Sequence, residues 1–305
     1  GGCLFFAPHT KIPLTRSYNY RQPDVTSCAC ANPLEPMDRV GHRTWELAHV
    51  GNVRDAMQSE SVDVVFLGDS ITEGWRGMSL GIPAQHKQAN IPIFDSFFKE
   101  ANGAELEGLA LGIAGDKSPN LLWRIQNGEM PDTLHPSVWW ILIGTNDFLR
   151  ENHCSPEVVL MGVKRVVDEV RRLRPGAIIV VNSILPRSED GLGGRLFDKD
   201  HPNKPTVWDG ILKVNRGLRL YCKRFRNILF FDSTSIFVKR DKGTHGVEGM
   251  YIPSNLMGDY LHPTPEGYRR WGEAITLAIH QVMDASEAEE GRKPLPHGWF
   301  NFAQH

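Results

Sequence analysis

A chain of 305 residues, 41% hydrophobic and 23% charged, can bury a sizeable core, and the lack of any fixed internal period excludes a solenoid or a coiled coil. A net charge of -2 and an isoelectric point near 6.7 leave no broad basic face, so nucleic acid is not expected as a partner. No stretch approaches the ~20 apolar residues of a membrane span, although the chain does not begin with methionine and Gly1 to Phe6 can be read as the tail of a signal or anchor.

Residues 1–43 read as an N-terminal arm. From Pro8 to Pro36 proline, serine and polar residues follow one another with little periodicity, the pattern of an extended segment lying over a domain or of disorder, and no chemistry is evident in it. From Thr44 a helix is expected, with Trp45, Leu47, Val50, Val53 and Met57 as its apolar face. Apolar runs bounded by turn residues predict buried strands at Val62 to Leu67, Val138 to Ile143, Ala177 to Leu185 and Ile228 to Phe231, with a weaker one at Leu106 to Leu111.

Helical patterns separate these runs. Between Ser155 and Arg174, Ser155 can cap, Pro156 suits the first turn, and Val159, Val163, Val166, Val170 and Leu173 form one stripe. Ile211, Val214, Leu218, Tyr221 and Phe225 make a second helix, and Pro265 to Met283 a third. Strands alternating with helices predict an α/β domain over residues 44–284, a parallel sheet covered on both faces, followed by a tail at 285–305. In such a sheet the chemistry belongs just beyond the carboxyl ends of the strands.

The polar and glycine-rich signatures fall at those ends. Gly68-Asp69-Ser70-Ile71-Thr72-Glu73-Gly74-Trp75 follows the first strand, and Ser70 there is either a helix cap or a nucleophile whose developing charge the helix amides favour. In Leu111-Gly112-Ile113-Ala114-Gly115-Asp116 the Gly115 amide can approach a ligand closely, or the glycine serves only a tight turn. In Ile143-Gly144-Thr145-Asn146-Asp147 the Asn146 carboxamide can donate to an oxyanion or stabilise its own turn. Asp259 and His262 lie on one short loop, a spacing that lets a carboxylate orient an imidazole acting as base for a serine.

Five cysteines, at 3, 28, 30, 154 and 222, lack the spacing of a zinc or redox motif; one or two disulfides and buried thiols both remain open, and with them the compartment. Asp198, Asp200 and His201 sit in a polar loop between Pro186 and Trp208, too irregularly spaced for a metal site.

Taken together, Gly-Asp-Ser, Gly-x-x-Gly-Asp, Gly-Thr-Asn and Asp-x-x-His resemble, in order and position, the blocks of SGNH (GDSL) hydrolases. Gly112 to Asp116, Leu122 to Glu129, Trp140 to Asn146, Leu185-Pro186-Arg187 and Asp259 to His262 are similar to the branch of intracellular platelet-activating-factor acetylhydrolase catalytic subunits, over about residues 62–280. The resemblance implies a three-layer α/β/α sandwich, flavodoxin-like, with a five-stranded parallel sheet. It implies a serine esterase with Ser70 as nucleophile, His262 as base and Asp259 as its orienter. Its oxyanion hole would comprise the Ser70 amide, the Gly115 amide and the Asn146 side chain. Ile71, Thr145 and Leu261 would narrow the acyl pocket to a short group such as acetyl, with no metal or organic cofactor. The substrate expected is a small-molecule ester of a lipid or sugar, and a homodimer is compatible with the sequence. The arm and the 187–208 loop have no evident counterpart in that branch. An acyltransferase, or a silent binding subunit, would carry the same blocks. Gly-x-Ser-x-Gly is absent, because Thr72 stands at its second glycine, which disfavours an α/β-hydrolase.

Overall fold

In the computed structural model, which describes residues 30, 32–59, 61–148, 154–241 and 249–290, five strands build the central sheet: Val64–Gly68 (β1), Gly108–Gly112 (β2), Val138–Leu142 (β3), Ile178–Asn182 (β4) and Ile228–Phe231 (β5). All neighbours are parallel and the order is β2-β1-β3-β4-β5, with Leu67 of β1 between Leu111 and Ile141. β1, β3 and most of β4 are buried on both sides, which is why they read as unbroken apolar runs instead of alternating ones. The chain leaves β1 toward one side for β2 and toward the other for β3, and the crevice at this reversal is where ligands collect in such sheets.

The helices, in chain order, are Arg43–Gln58 (α1), Ser70–Gly74 (α2), Ile91–Phe98 (α3), Ser118–Arg124 (α4), Pro156–Leu173 (α5), Val207–Cys222 (α6), Thr234–Phe237 (α7) and Pro265–Glu290 (α8). α3 packs on α8 and α4 on α5 on α6, giving the outer layers of an α/β/α sandwich. On the α3–α8 side Phe66, Trp140 and Phe231 tile the sheet, and Phe66 meets Phe98 edge-on at 4.9 Å between centroids. Asn182 is the one side chain of β4 with a polar end buried in this layer, and its Oδ1 accepts from both Trp140 and Trp271 at 3.2 Å. α5 starts as its sequence predicts, with the Ser155 hydroxyl accepting from Val158 N.

One expectation fails. Trp45 is buried as expected, but Leu47, Val50 and Met57 are 60%, 63% and 64% exposed, and α1 buries Ala48, His49, Asn52 and Ala56 beside Trp45. The helix turns polar residues inward because His49 and Asn52 both hydrogen-bond the buried carboxylate of Glu129, at 3.1 Å each.

The described part of the arm crosses the carboxyl side of the sheet. Met37 N donates to Pro119 O at 3.0 Å, Asn120 Nδ2 donates to Met37 O at 2.8 Å, and a Cys30–Cys154 disulfide joins the arm to the segment entering α5. Cys222 is a buried thiol whose burial pushes its pKa up to about 12; Cys3 and Cys28 lie outside the described residues. In the 187–208 loop Asp198 accepts from its own neighbours, the Asp200 and His201 amides and the His201 ring.

Candidate active site

Ser70 is the first residue of α2, and the cap is its predecessor: Asp69 Oδ1 accepts from Ile71 N at 2.9 Å. The serine hydroxyl is thereby released from capping, and its Oγ lies 2.9 Å from His262 Nε2. His262 Nδ1 is 2.7 Å from Asp259 Oδ2. With the proton on Nδ1 facing the carboxylate, Nε2 is left to accept from the serine. Asp259 Oδ1 also accepts from the Leu261 and His262 amides at 3.0 and 2.7 Å, and Tyr260 takes a left-handed φ of 58° to close this turn. Burial raises the Asp259 pKa, but the His262 ring and backbone bonds outweigh it and hold the carboxyl well below the usual carboxylate range.

The chain after β2 turns at Gly115, whose φ of +80° favours glycine over residues that carry a β-carbon. Gly112 lets this segment approach α2, since a Cβ there would sit 2.2 Å from Glu73 N. Glu73 returns the contact: its buried carboxylate accepts from the Leu80, Gly81 and Ala114 amides at 3.0, 2.6 and 2.7 Å. Asn146, one residue into the turn after Thr145, donates its Nδ2 to Asp116 O at 2.9 Å, which sets the carboxamide plane against the Gly115 segment.

Ser70, Gly115, Asn146, Leu261 and His262 line one open cleft of about 550 Å³, and Ser79, His86 and Lys87 line it too. Of the three residues expected to narrow the acyl side, Leu261 lies on the wall, while Ile71 and Thr145 are buried and do not line the cleft.

The model of the GDSL-like lipase/acylhydrolase family matches residues 66–270. The chain belongs to that family and is an ester hydrolase. It is similar to platelet-activating factor acetylhydrolase IB subunit alpha1 of Rattus norvegicus, 28% identical over 267 residues that cover 87% of this chain and 94% of the relative. The alpha2 subunit of Homo sapiens is 27% identical over 260 residues, covering 85% and 94%. A GDSL-like lipase from Bacteroides thetaiotaomicron superposes with a TM-score of 0.53 at 20% identity, covering 78% of this chain and 98% of its own, and so shares the fold.

Behind the cleft this GDSL hydrolase carries a buried ionic cluster that reading single motifs does not predict. Arg124, fully buried, donates to Asp116 Oδ2 at 2.7 Å and to Glu129, and its other nitrogen donates to Gly68 O at 2.6 Å. One guanidinium thus ties the residue before Asp69-Ser70 to the residue after Gly115. Burial raises the Glu129 pKa, but Arg124 and His49 outweigh it and keep the carboxyl below its ordinary value. The only sequence signal for the cluster is the Leu122 to Glu129 block of the family resemblance.

Burial pushes Asp69 up to about 7 against the bond from Ile71, and Asp147 up to about 6 although Ser118 donates to it through both its amide and its hydroxyl. Lys87 is lowered by burial, opposed by the charges of Glu73, Asp259 and Asp69. Among the described residues no group of three or more His, Cys, Asp or Glu could hold a metal, and no helix is long and apolar enough to cross a membrane.

Proposed function

We propose that this chain hydrolyses short-chain esters, acetyl esters foremost, of a lipid or carbohydrate alcohol through an acyl-Ser70 intermediate. The hydrogen-bonded series Ser70 Oγ–His262 Nε2 and His262 Nδ1–Asp259 Oδ2, at 2.9 and 2.7 Å, carries this reading. Ser70 Oγ attacks the ester carbonyl as its proton passes to Nε2, and the imidazolium is stabilised by Asp259. The carbonyl oxygen, now an oxyanion, is met by the Ser70 and Gly115 amides and by the Asn146 carboxamide. The tetrahedral adduct collapses as His262 returns the proton to the departing alkoxide. Water, deprotonated by the same nitrogen, then attacks the acyl-serine and releases the acid.

Leu261 on the cleft wall favours a short acyl group, as does the similarity to relatives named acetylhydrolases. Ser79, His86 and Lys87, which also line the cleft, suit a polar alcohol portion.

Purified wild type and Ser70→Ala compared on an aryl acetate test the assignment. We expect turnover to vanish in the variant while circular dichroism and melting stay unchanged, and a fluorophosphonate to label wild type at Ser70. Undiminished hydrolysis by the variant would overturn the proposal.

A further inference from the structure

The arm, which carries no recognisable motif, delivers Arg39 to the cleft's donor side. Arg39 Nη1 donates to Ala114 O at 2.8 Å and lies 3.4 Å from Asp116 Oδ1. A Cβ on Gly115 would sit 3.3 Å from the same nitrogen, so the guanidinium lies directly over this glycine. Ala114 C=O and Gly115 N–H belong to one peptide unit. In a trans peptide these two groups point in opposite directions, so a bond that holds the oxygen on one side also aims the N–H on the other.

We propose that Arg39 is a positioning residue for the esterase reaction, fixing and polarising the Ala114–Gly115 peptide so that the Gly115 N–H meets the oxyanion. The inference rests on the reading of Gly115 as an oxyanion donor.

Two physical effects act together. A peptide next to a glycine at φ +80° rotates at little steric cost, because glycine tolerates both halves of φ space. Arg39 opposes that rotation on the Ala114 oxygen, while Glu73 holds the Ala114 N–H at 2.7 Å. A charge-assisted bond to the carbonyl also draws electron density onto oxygen, which makes the N–H of the same amide a stronger donor, the sense in which hydrogen-bond chains reinforce one another.

The geometry that brings Arg39 there is specific. Met37 is bonded in both directions to Pro119 and Asn120 at the start of α4. Beyond Arg39, His42 Nδ1 caps α1 through Trp45 N, and Trp45 Nε1 donates to Asp116 Oδ1 at 2.7 Å. The arm therefore grips the Gly115 segment at both its oxygen and its acidic end, and the Cys30–Cys154 disulfide holds the arm's upstream end.

The test uses the full chain as wild type, Ser70→Ala, Arg39→Met and Arg39→Lys, assayed on an aryl acetate. Arg39→Met should lower kcat about 10–100-fold, less than the ~10²–10³ lost with a whole oxyanion donor. KM should stay within about twofold, the fluorophosphonate-labelled fraction should be unchanged although labelling slows, and the melting temperature should hold. Added methylguanidinium should restore part of the rate, and Arg39→Lys should fall between. An unchanged kcat, or a loss matched by a smaller labelled fraction or a lower melting temperature, would overturn the inference and leave the serine mechanism standing. Full activity in Ser70→Ala would remove both.

Discussion

The loop carrying His262 and the floor beneath Gly115 both adjoin the cleft and are built by contrary means. The loop is held mainly by its own atoms: Asp259 bonds the His262 ring and the Leu261 and His262 amides, Ser70 meets the ring's other nitrogen, Ser188 N donates to Tyr260 O at 3.2 Å, and the Asp259 side chain remains 57% exposed. The floor is held from afar, by a fully buried Arg124 that joins Gly68, Asp116 and Glu129, with His49 and Asn52 of α1 completing the cluster. In the proposed reaction the base must shed and regain a proton and exchange it with water, so partial exposure would serve it. Oxyanion donors must not reorganise as charge develops, and fixed dipoles in a dry setting meet that need.

If the contrast holds, damage to the loop should cost rate with little stability, and damage to the buried Arg124 cluster should cost stability. The largest effect expected is in Asp259→Asn. An amide facing Nδ1 favours the tautomer with its proton on Nε2, which cannot accept from Ser70, and kcat should fall on the order of 10³–10⁴-fold. Urea unfolding of that variant should remain within about 1 kcal/mol of wild type. A large loss of stability there would erase the distinction.

Arg124→Met probes the other side. It strips the shared cation from Asp116 and Glu129, and removing one partner of a buried pair costs about 3–5 kcal/mol. A denaturation midpoint close to wild type would show that the cluster does not support the floor.

The smallest effect, in pH, separates the two sides by sign. Asp69 has a folded pKa of about 7, above its ordinary 3.8, so the folded chain binds the extra proton between those values and this group's contribution to stability declines as pH rises through that window. Asp259 is depressed, so its contribution is present above the ordinary carboxylate pKa and is lost as pH falls through its folded value. Unfolding measured at pH 5 and pH 8 should show wild type losing stability relative to Asp69→Asn, by at most about 1.4 kcal/mol per pH unit for one proton. Parallel pH profiles would rule out Asp69 as the titrating group.

Much of this architecture is legible in the chain. The strands fall where apolar runs end in turn residues, and Ser155 caps α5 as its position predicts. Ser70, Asp259 and His262, named from strand ends and a three-residue spacing, come within hydrogen-bond reach. The inward face of α1 was not legible: Leu47, Val50 and Met57 have the right hydrophobicity, but the buried acid at Glu129 demands donors, and His49 and Asn52 supply them. The Cys30–Cys154 pairing, whose ends lie 124 positions apart in the chain, leaves no local trace either.

What the sequence by itself determined is the local part: which segments are strands and helices, and which short loops bring a serine, a glycine, an asparagine and an Asp–His pair to strand ends. Periodicity and capping act over a few residues, so they are written where they act. The tertiary structure decided how those loops are held, because a buried charge must find its counter-charges wherever the chain returns. Arg124 reaches back 56 residues to Gly68, and Arg39 reaches forward 75 to Ala114. Neither contact exists until the sheet has assembled and water has been driven from beneath the cleft.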